Sequence, residues 1–213
     1  MIIRKSIVIF LLTLLVGQIS FGHTDSTDTK YLSIGSKTSG ISFGHSNIYN
    51  GLRFNLWDKE LNSKQGGLRQ MNGVNFSFRA ISEQTNGIQI GVLACDATKM
   101  NGLSIASVAQ NTNKINGLAA SFMIDSITLN GVFIGFGVSP SNRNIDGRVI
   151  NGLALGVIVG AEDLNGGAIG LFNVYSEQQN GISISALNET EQLHGLQIGF
   201  LNYAGNNPKP FRW

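Results

Sequence analysis

A glycine, usually behind asparagine, returns at Gly51, Gly73, Gly87, Gly102, Gly117, Gly131, Gly152, Gly166, Gly181 and Gly195. Successive intervals are 22, 14, 15, 15, 14, 21, 14, 15 and 14 residues, so one unit of 14 or 15 covers most of the chain. A fixed short period means that each unit is a single supersecondary element, stable only when stacked on copies of itself.

Within a unit, the first, third and fifth residues after the glycine are apolar, as in Leu103 and Ile105, Val132, Ile134 and Phe136, or Leu153, Leu155 and Val157. Alternation at period two is a strand signal, and these positions are expected to form one apolar face that stacks into a continuous interior. The second position is mixed (Arg53, Asn75, Gln89, Phe133), while the fourth is small apart from Asn55 (Gly91, Ala106, Ser121, Gly135, Gly156). A recurrent small residue inside a strand predicts a bend or a close approach of backbone. Two before the glycine, Met71, Met100, Ile115, Leu129, Ile150, Leu164 and Leu193 supply an apolar anchor that pins the turn.

Asn-Gly also makes two-residue hairpin turns, but a meander would place similar strands on both sides of each turn. Here the segment before the glycine is short and polar apart from its anchor, and the segment after it is long and apolar. That asymmetry predicts an all-β fold, a parallel β-solenoid of 14–15-residue units, with an antiparallel β-barrel or meander as the alternative. Its repeat corners are Asn50 and Gly51, Asn72 and Gly73, Asn86 and Gly87, Asn101 and Gly102, Asn116 and Gly117, Asn130 and Gly131, Asn151 and Gly152, Asn165 and Gly166, Asn180 and Gly181, and His194 and Gly195. The asparagines are expected to form a ladder, each amide bonding the next rung, with glycine permitting the corner's backbone.

The domain boundaries follow from the ends of this pattern. Arg4 and Lys5, an apolar run from Ile7 to Val16 and Ser20-Phe21-Gly22 have the form of a secretory signal peptide over residues 1–22. Residues 23–39 read as a polar leader and first strand, 40–204 as the β-repeat domain and 205–213 as a C-terminal tail. Without Arg4 and Lys5, Lys+Arg and Asp+Glu balance, which argues against a nucleic-acid partner. Cys95, the single cysteine of the chain, excludes an internal disulfide and reads as a small buried apolar side chain.

The units Asn86-Gly-Ile-Gln-Ile-Gly-Val, Asn151-Gly-Leu-Ala-Leu-Gly-Val and His194-Gly-Leu-Gln-Ile-Gly-Phe-Leu-Asn, closing on Asn206-Asn207-Pro208, resemble a group of bacterial surface repeat-containing proteins built from N-G-L-Q-I-G-L-x-N units. The resemblance covers roughly residues 40 to 204. It implies an exported, envelope-associated protein without assigned activity, located at the outer membrane, the cell surface or in the periplasm.

Chemistry-bearing constellations are sparse. His23, His45 and His194 are isolated from one another, and His194 stands where other units have asparagine, which makes it a polar corner residue. Asp125, Asp146, Glu162 and Asp163 share no offset within their units and read as solvated loop charges. Phe43, Phe54, Trp57, Phe76 and Phe78 are expected to be core, as alternating aromatics in a strand usually are.

The expected function is that of a non-enzymatic exported surface or envelope repeat protein, a structural or interaction module with no catalytic residues, metal or cofactor. Its expected partner is an envelope or extracellular protein or a glycan, and membrane association stays open. Recognition is placed on the polar loops and on the two longer units, at Trp57, Lys59, Lys64, Arg69, Asn142, Arg143 and Arg148. One alternative is an outer-membrane β-barrel, whose strands need about 9–11 residues of alternation; here alternation fails after five or six. The other is a polysaccharide-binding or polysaccharide-processing solenoid, which carboxylates gathered on one face would support.

Overall fold

A computed structural model describes residues 19–22, 31–36, 38–44, 46, 48–58, 68–138 and 147–208. The strands are β1 (Ile19–Gly22), β2 (Tyr31–Gly35), β3 (Ser39–Gly44), β4 (Ile48–Trp57), β5 (Leu68–Ala106), β6 (Ala109–Ala120) and β7 (Met123–Ile134). They continue as β8 (Gly137–Val138), β9 (Val149–Leu155), β10 (Ile158–Ile169), β11 (Phe172–Ile184), β12 (Leu187–Ile198) and β13 (Leu201–Ala204). From β3 onward every pairing is parallel and in unit register: Gly102 lies beside Gly117, Gly117 beside Gly131, Gly131 beside Gly152, and so on to Gly195. The chain is thus a parallel β-solenoid of about ten turns, a rod of roughly 48 Å at 4.8 Å per rung. Parallel pairing replaces the antiparallel barrel or meander; among the described residues only β1 with β2 and β2 with β3 are antiparallel. β1 falls inside the segment read as a signal peptide.

The asparagine ladder is present. Asn72 donates from Nδ2 to Oδ1 of Asn50, and the same bond recurs rung by rung to Asn180, at 2.6 to 2.9 Å. Each amide is fixed between two copies of itself, so pairing is self-consistent only in unit register. Beside it, Gly131 has φ 135°, and a Cβ there would overlap the carbonyl oxygen of Gly117 below. Only glycine lets the rungs approach this closely. The small fourth position is the second corner, where the chain bends at Gly135-Phe136, Gly156-Val157 and Gly170-Leu171. A Cβ on Gly170 would stand 2.5 Å from Asn173 Oδ1 and 2.9 Å from the Gly156 carbonyl oxygen.

One expectation is reversed. The first, third and fifth positions do not fill the interior; Leu118, Ile134, Phe136, Ile169, Leu171, Ile182 and Ile184 all face outward and are exposed. The buried rows are the anchor two before the glycine (Met100, Ile115, Leu129, Ile150, Leu164), the second position after it (Ala119, Phe133, Ala154, Ala168), and a row on the return segment (Cys95, Ile124, Val138, Val159). The physical reason is width. A 14-residue coil brings its opposite sides so close that one or two side chains per side fill the interior, and Ala or Ser suffices beside a Leu or Phe.

The interior is apolar only in the middle of the rod. In the first coils the second position holds Arg53, Asn75 and Gln89, all buried, and in the last ones Gln179, Ser183, Asn173 and Asn188 are buried. Most of their polar atoms are hydrogen-bonded, although Asn75 Nδ2 and Asn173 Oδ1 have no partner. Asn188 Oδ1 accepts from Ser183 and Ser185 at 2.5 and 2.8 Å, and its Nδ2 donates to Asn202 at 2.8 Å.

Candidate functional site

Three surfaces were candidates for function: the corner ladder, the two longer units, and the strands. The ladder residues are committed to structure by the bonds above. In the longer units the described residues stop at Asp58 and at Val138, each seven residues past its corner glycine, Gly51 or Gly131. Lys59, Lys64, Asn142 and Arg143 lie outside the described residues, as does the side chain of Arg69, whose backbone is in β5. His45 and Asp146 are also outside them.

The described members of that set are engaged locally. Trp57 is half exposed, its ring 6.4 Å from Phe78, with the Arg79 guanidinium 5.8 Å over it. Arg79 is held in turn by Asp96, with Nη2 2.8 Å from the carboxylate. Arg148 faces Glu162 at 3.8 Å, and Glu162 accepts the backbone N–H of Gly147 at 2.6 Å. Structure therefore brings Trp57 into an aromatic and cationic cluster on the strands, and places Arg148 beside Glu162, just ahead of β9.

The most elaborate polar cluster is buried at the N-terminal end. Arg53 donates to both oxygens of Asp58 at 2.5 and 3.1 Å, to Asn75 Oδ1 at 2.9 Å and to Ser46 Oγ at 3.2 Å. Asp58 also accepts from Asn55 Nδ2 at 2.6 Å and from the Ile81 backbone N–H at 3.1 Å. The Arg53–Asp58 pair is buried and charge-matched, while Nδ2 of the adjoining Asn75 has no hydrogen-bond partner. Cys95 is equally enclosed, its Sγ 3.3 Å from the Ile105 carbonyl oxygen, and burial pushes its thiol up to about 12. Burial likewise raises Tyr175 and Tyr49. Among the described residues no three His, Cys, Asp or Glu side chains form a group that could hold a metal.

What remains is the surface that sequence reasoning assigned to the interior. Along the rod, rows of Leu, Ile, Val and Phe stand outward between the asparagine ladder on one side and the row Asp96, Asn111, Asp125 on the other. The sixth position extends the surface around the small-residue corner with Leu93, Val108, Met123, Ile158 and Phe172. Aromatics stack along it, Phe43 on Phe54 at 5.4 Å and Phe122 on Phe136 at 4.8 Å. Those phenylalanines and Phe76 and Phe78, expected in the core, are exposed. Charged side chains sit mainly on the return side: Glu83, Lys99, Lys114, Glu177 and Glu191 are exposed there.

Roughly two dozen side chains of about 150 Å², each about half exposed, leave on the order of 1,800 Å² of apolar surface. The largest apolar patch on a typical monomer is about 300–600 Å². A signal was present in the sequence: the mixed second position and the small fourth position share one parity, and small residues recur where two walls of a narrow coil meet. Comparison with family models, curated proteins and solved structures returns no match to this chain.

Proposed function

We propose that the protein is an exported, non-enzymatic structural or interaction module whose working surface is the flat apolar face of the rod. The observation that carries this is the continuous outward apolar surface, far larger than a free monomer ordinarily leaves in water. The solenoid supplies rigidity: the ladder and the glycine corners hold each rung in register, so that the face is presented as a preformed sheet. The leader-like N-terminus and the resemblance of the units to envelope repeat proteins support export. The partner is macromolecular, because a face running the length of the rod exceeds any small ligand.

A photo-crosslinking amino acid placed at Ile134, on the face, and separately at Lys114, on the return side, tests this in an exporting bacterial host. The expected result is leader removal, recovery outside the cytoplasm and a macromolecular adduct from position 134 but not 114. Retention in the cytoplasm, or no adduct from position 134, overturns the proposal.

A further inference from the structure

We propose that a second copy of this chain covers the apolar face, the two rods packing sheet on sheet as a symmetric dimer. This rests on the reading that the face is the working surface, and adds the identity of what covers it.

Area is the first argument. A stable interface removes about 800 Å² from each partner, and the exposed first- and third-position side chains on the flat wall ahead of the small-residue corner offer on the order of that area. A self-complementary surface is the commonest route by which one chain satisfies such a need, because a two-fold axis presents the same patch from both sides.

Shape is the second. Side chains repeat along the rod at the rung spacing, in rows such as Ile105, Ile134, Ile169, Ile184 and Ile198. Two identical combs of this kind interdigitate at the roughly 10 Å separation of packed sheets. Stacked pairs such as Phe122 and Phe136 keep the rings in line with the aliphatic rows rather than projecting as isolated anchors.

Charge is the third, and it separates a second copy from a lipid surface. A face that lies on anionic headgroups is flanked by Lys and Arg. Here one border is the neutral asparagine ladder and the other is a row that reads Asp96, Asn111, Asp125 in the middle rungs and Gly160, Val174, Glu189, Tyr203 in the later ones, with no basic residue among those named. Exposed Lys99 and Lys114 are paired neighbours on the return side, ahead of the ladder and away from the third-position row. The charge on the face itself, Arg79, is matched by Asp96. Such a border offers anionic lipid no cationic anchor, whereas an apolar seam against its own image needs none.

The test uses the protein exported and purified without detergent, followed by sedimentation velocity over roughly 0.1–50 µM. The expected result is a dimer of the 22.8 kDa chain less its leader. Ile134→Cys, at the middle of the face, should form an interchain disulfide on mild oxidation, and Lys114→Cys should not; Cys95 is buried and does not compete. The double variant Ile134→Lys with Ile169→Lys should raise the dimer dissociation constant at least about a hundredfold. Should that variant fail to fold, the single cysteines on the otherwise native face decide the matter. A monomer throughout the range, or a disulfide through position 114 instead of 134, overturns the proposal. Co-flotation with phosphatidylglycerol vesicles in place of dimerisation also overturns it and assigns the face to lipid. A monomer in solution that still gives the position-134 adduct in cells rules out self-pairing and leaves the functional reading standing; loss of both removes both.

Discussion

Phe133 and Ile134 are neighbours in one strand that point in opposite directions, and truncating each in turn measures which way the repeat is turned. Phe133 is fully buried, lying in register between Ala119 and Ala154. Neither alanine has atoms to move into the space left by a ring, so Phe133→Ala belongs toward the upper part of the usual 3–5 kcal/mol. Ile134 is 52% exposed; Ile134→Ala gives up contact with the rungs above and below but little transfer energy, about 1 kcal/mol. In a domain of this size those losses lower the melting temperature by roughly 6–20 °C and 2–4 °C. Thermal and urea denaturation followed by circular dichroism, in protein dilute enough to be monomeric, reads both. An Ile134→Ala cost equal to or above that of Phe133→Ala would refute the assignment of inward and outward rows.

Three further outcomes follow from the same geometry. Arg53→Ala strands the Asp58 carboxylate among buried partners and should cost about 3–5 kcal/mol by urea denaturation, whereas Arg53→Met combined with Asp58→Leu should recover most of it. Gly131→Ala carries about 1–3 kcal/mol of backbone strain plus the overlap with Gly117, so it should exceed Gly147→Ala, where φ is 87° and a Cβ meets nothing within 4 Å. Cys95 should ignore a thiol reagent at pH 8 in the native state and react on unfolding. Its thiol is held protonated in the fold, pushed by burial up to about 12. Stability from this group is therefore intact below pH 9 and falls as pH rises toward 12, a slope that Cys95→Ala should reduce in alkaline denaturation.

The period, the parallel architecture and the asparagine ladder are legible because each depends on residues whose role is local. Asn-Gly marks a corner by backbone conformation, and identical spacing from corner to corner leaves unit register as the consistent pairing. The anchors at Met71, Met100, Ile115 and Leu129 are legible for the same reason, since a bulky apolar residue amid polar neighbours has one place to go. Inside and outside were not legible from hydrophobicity. Apolar side chains at the surface are permitted by physics, and the rule that buried positions are apolar runs one way only. In this narrow coil Arg53 is interior with Asp58 and Asn75, Gln89 with Ser82 and Thr85, and Ser183 with Asn173 and Asn188, pairings that no single strand displays. The outward apolar sheet is illegible for the same reason, since alternation at period two does not say which parity faces water.

Paired cysteines test the central claim most directly, that the chain is a parallel in-register solenoid in which successive strand positions face opposite ways. Ile134 and Leu155 are neighbours across two rungs, 21 residues apart in sequence, and side by side on one face at about the Cα separation a disulfide requires. The double variant Ile134→Cys with Leu155→Cys should close an intramolecular disulfide quickly under mild oxidation. Its offset counterpart, Ile134→Cys with Ala154→Cys, should not, because Ala154 points inward. Rapid closure of the offset pair, or closure of neither, would contradict the account.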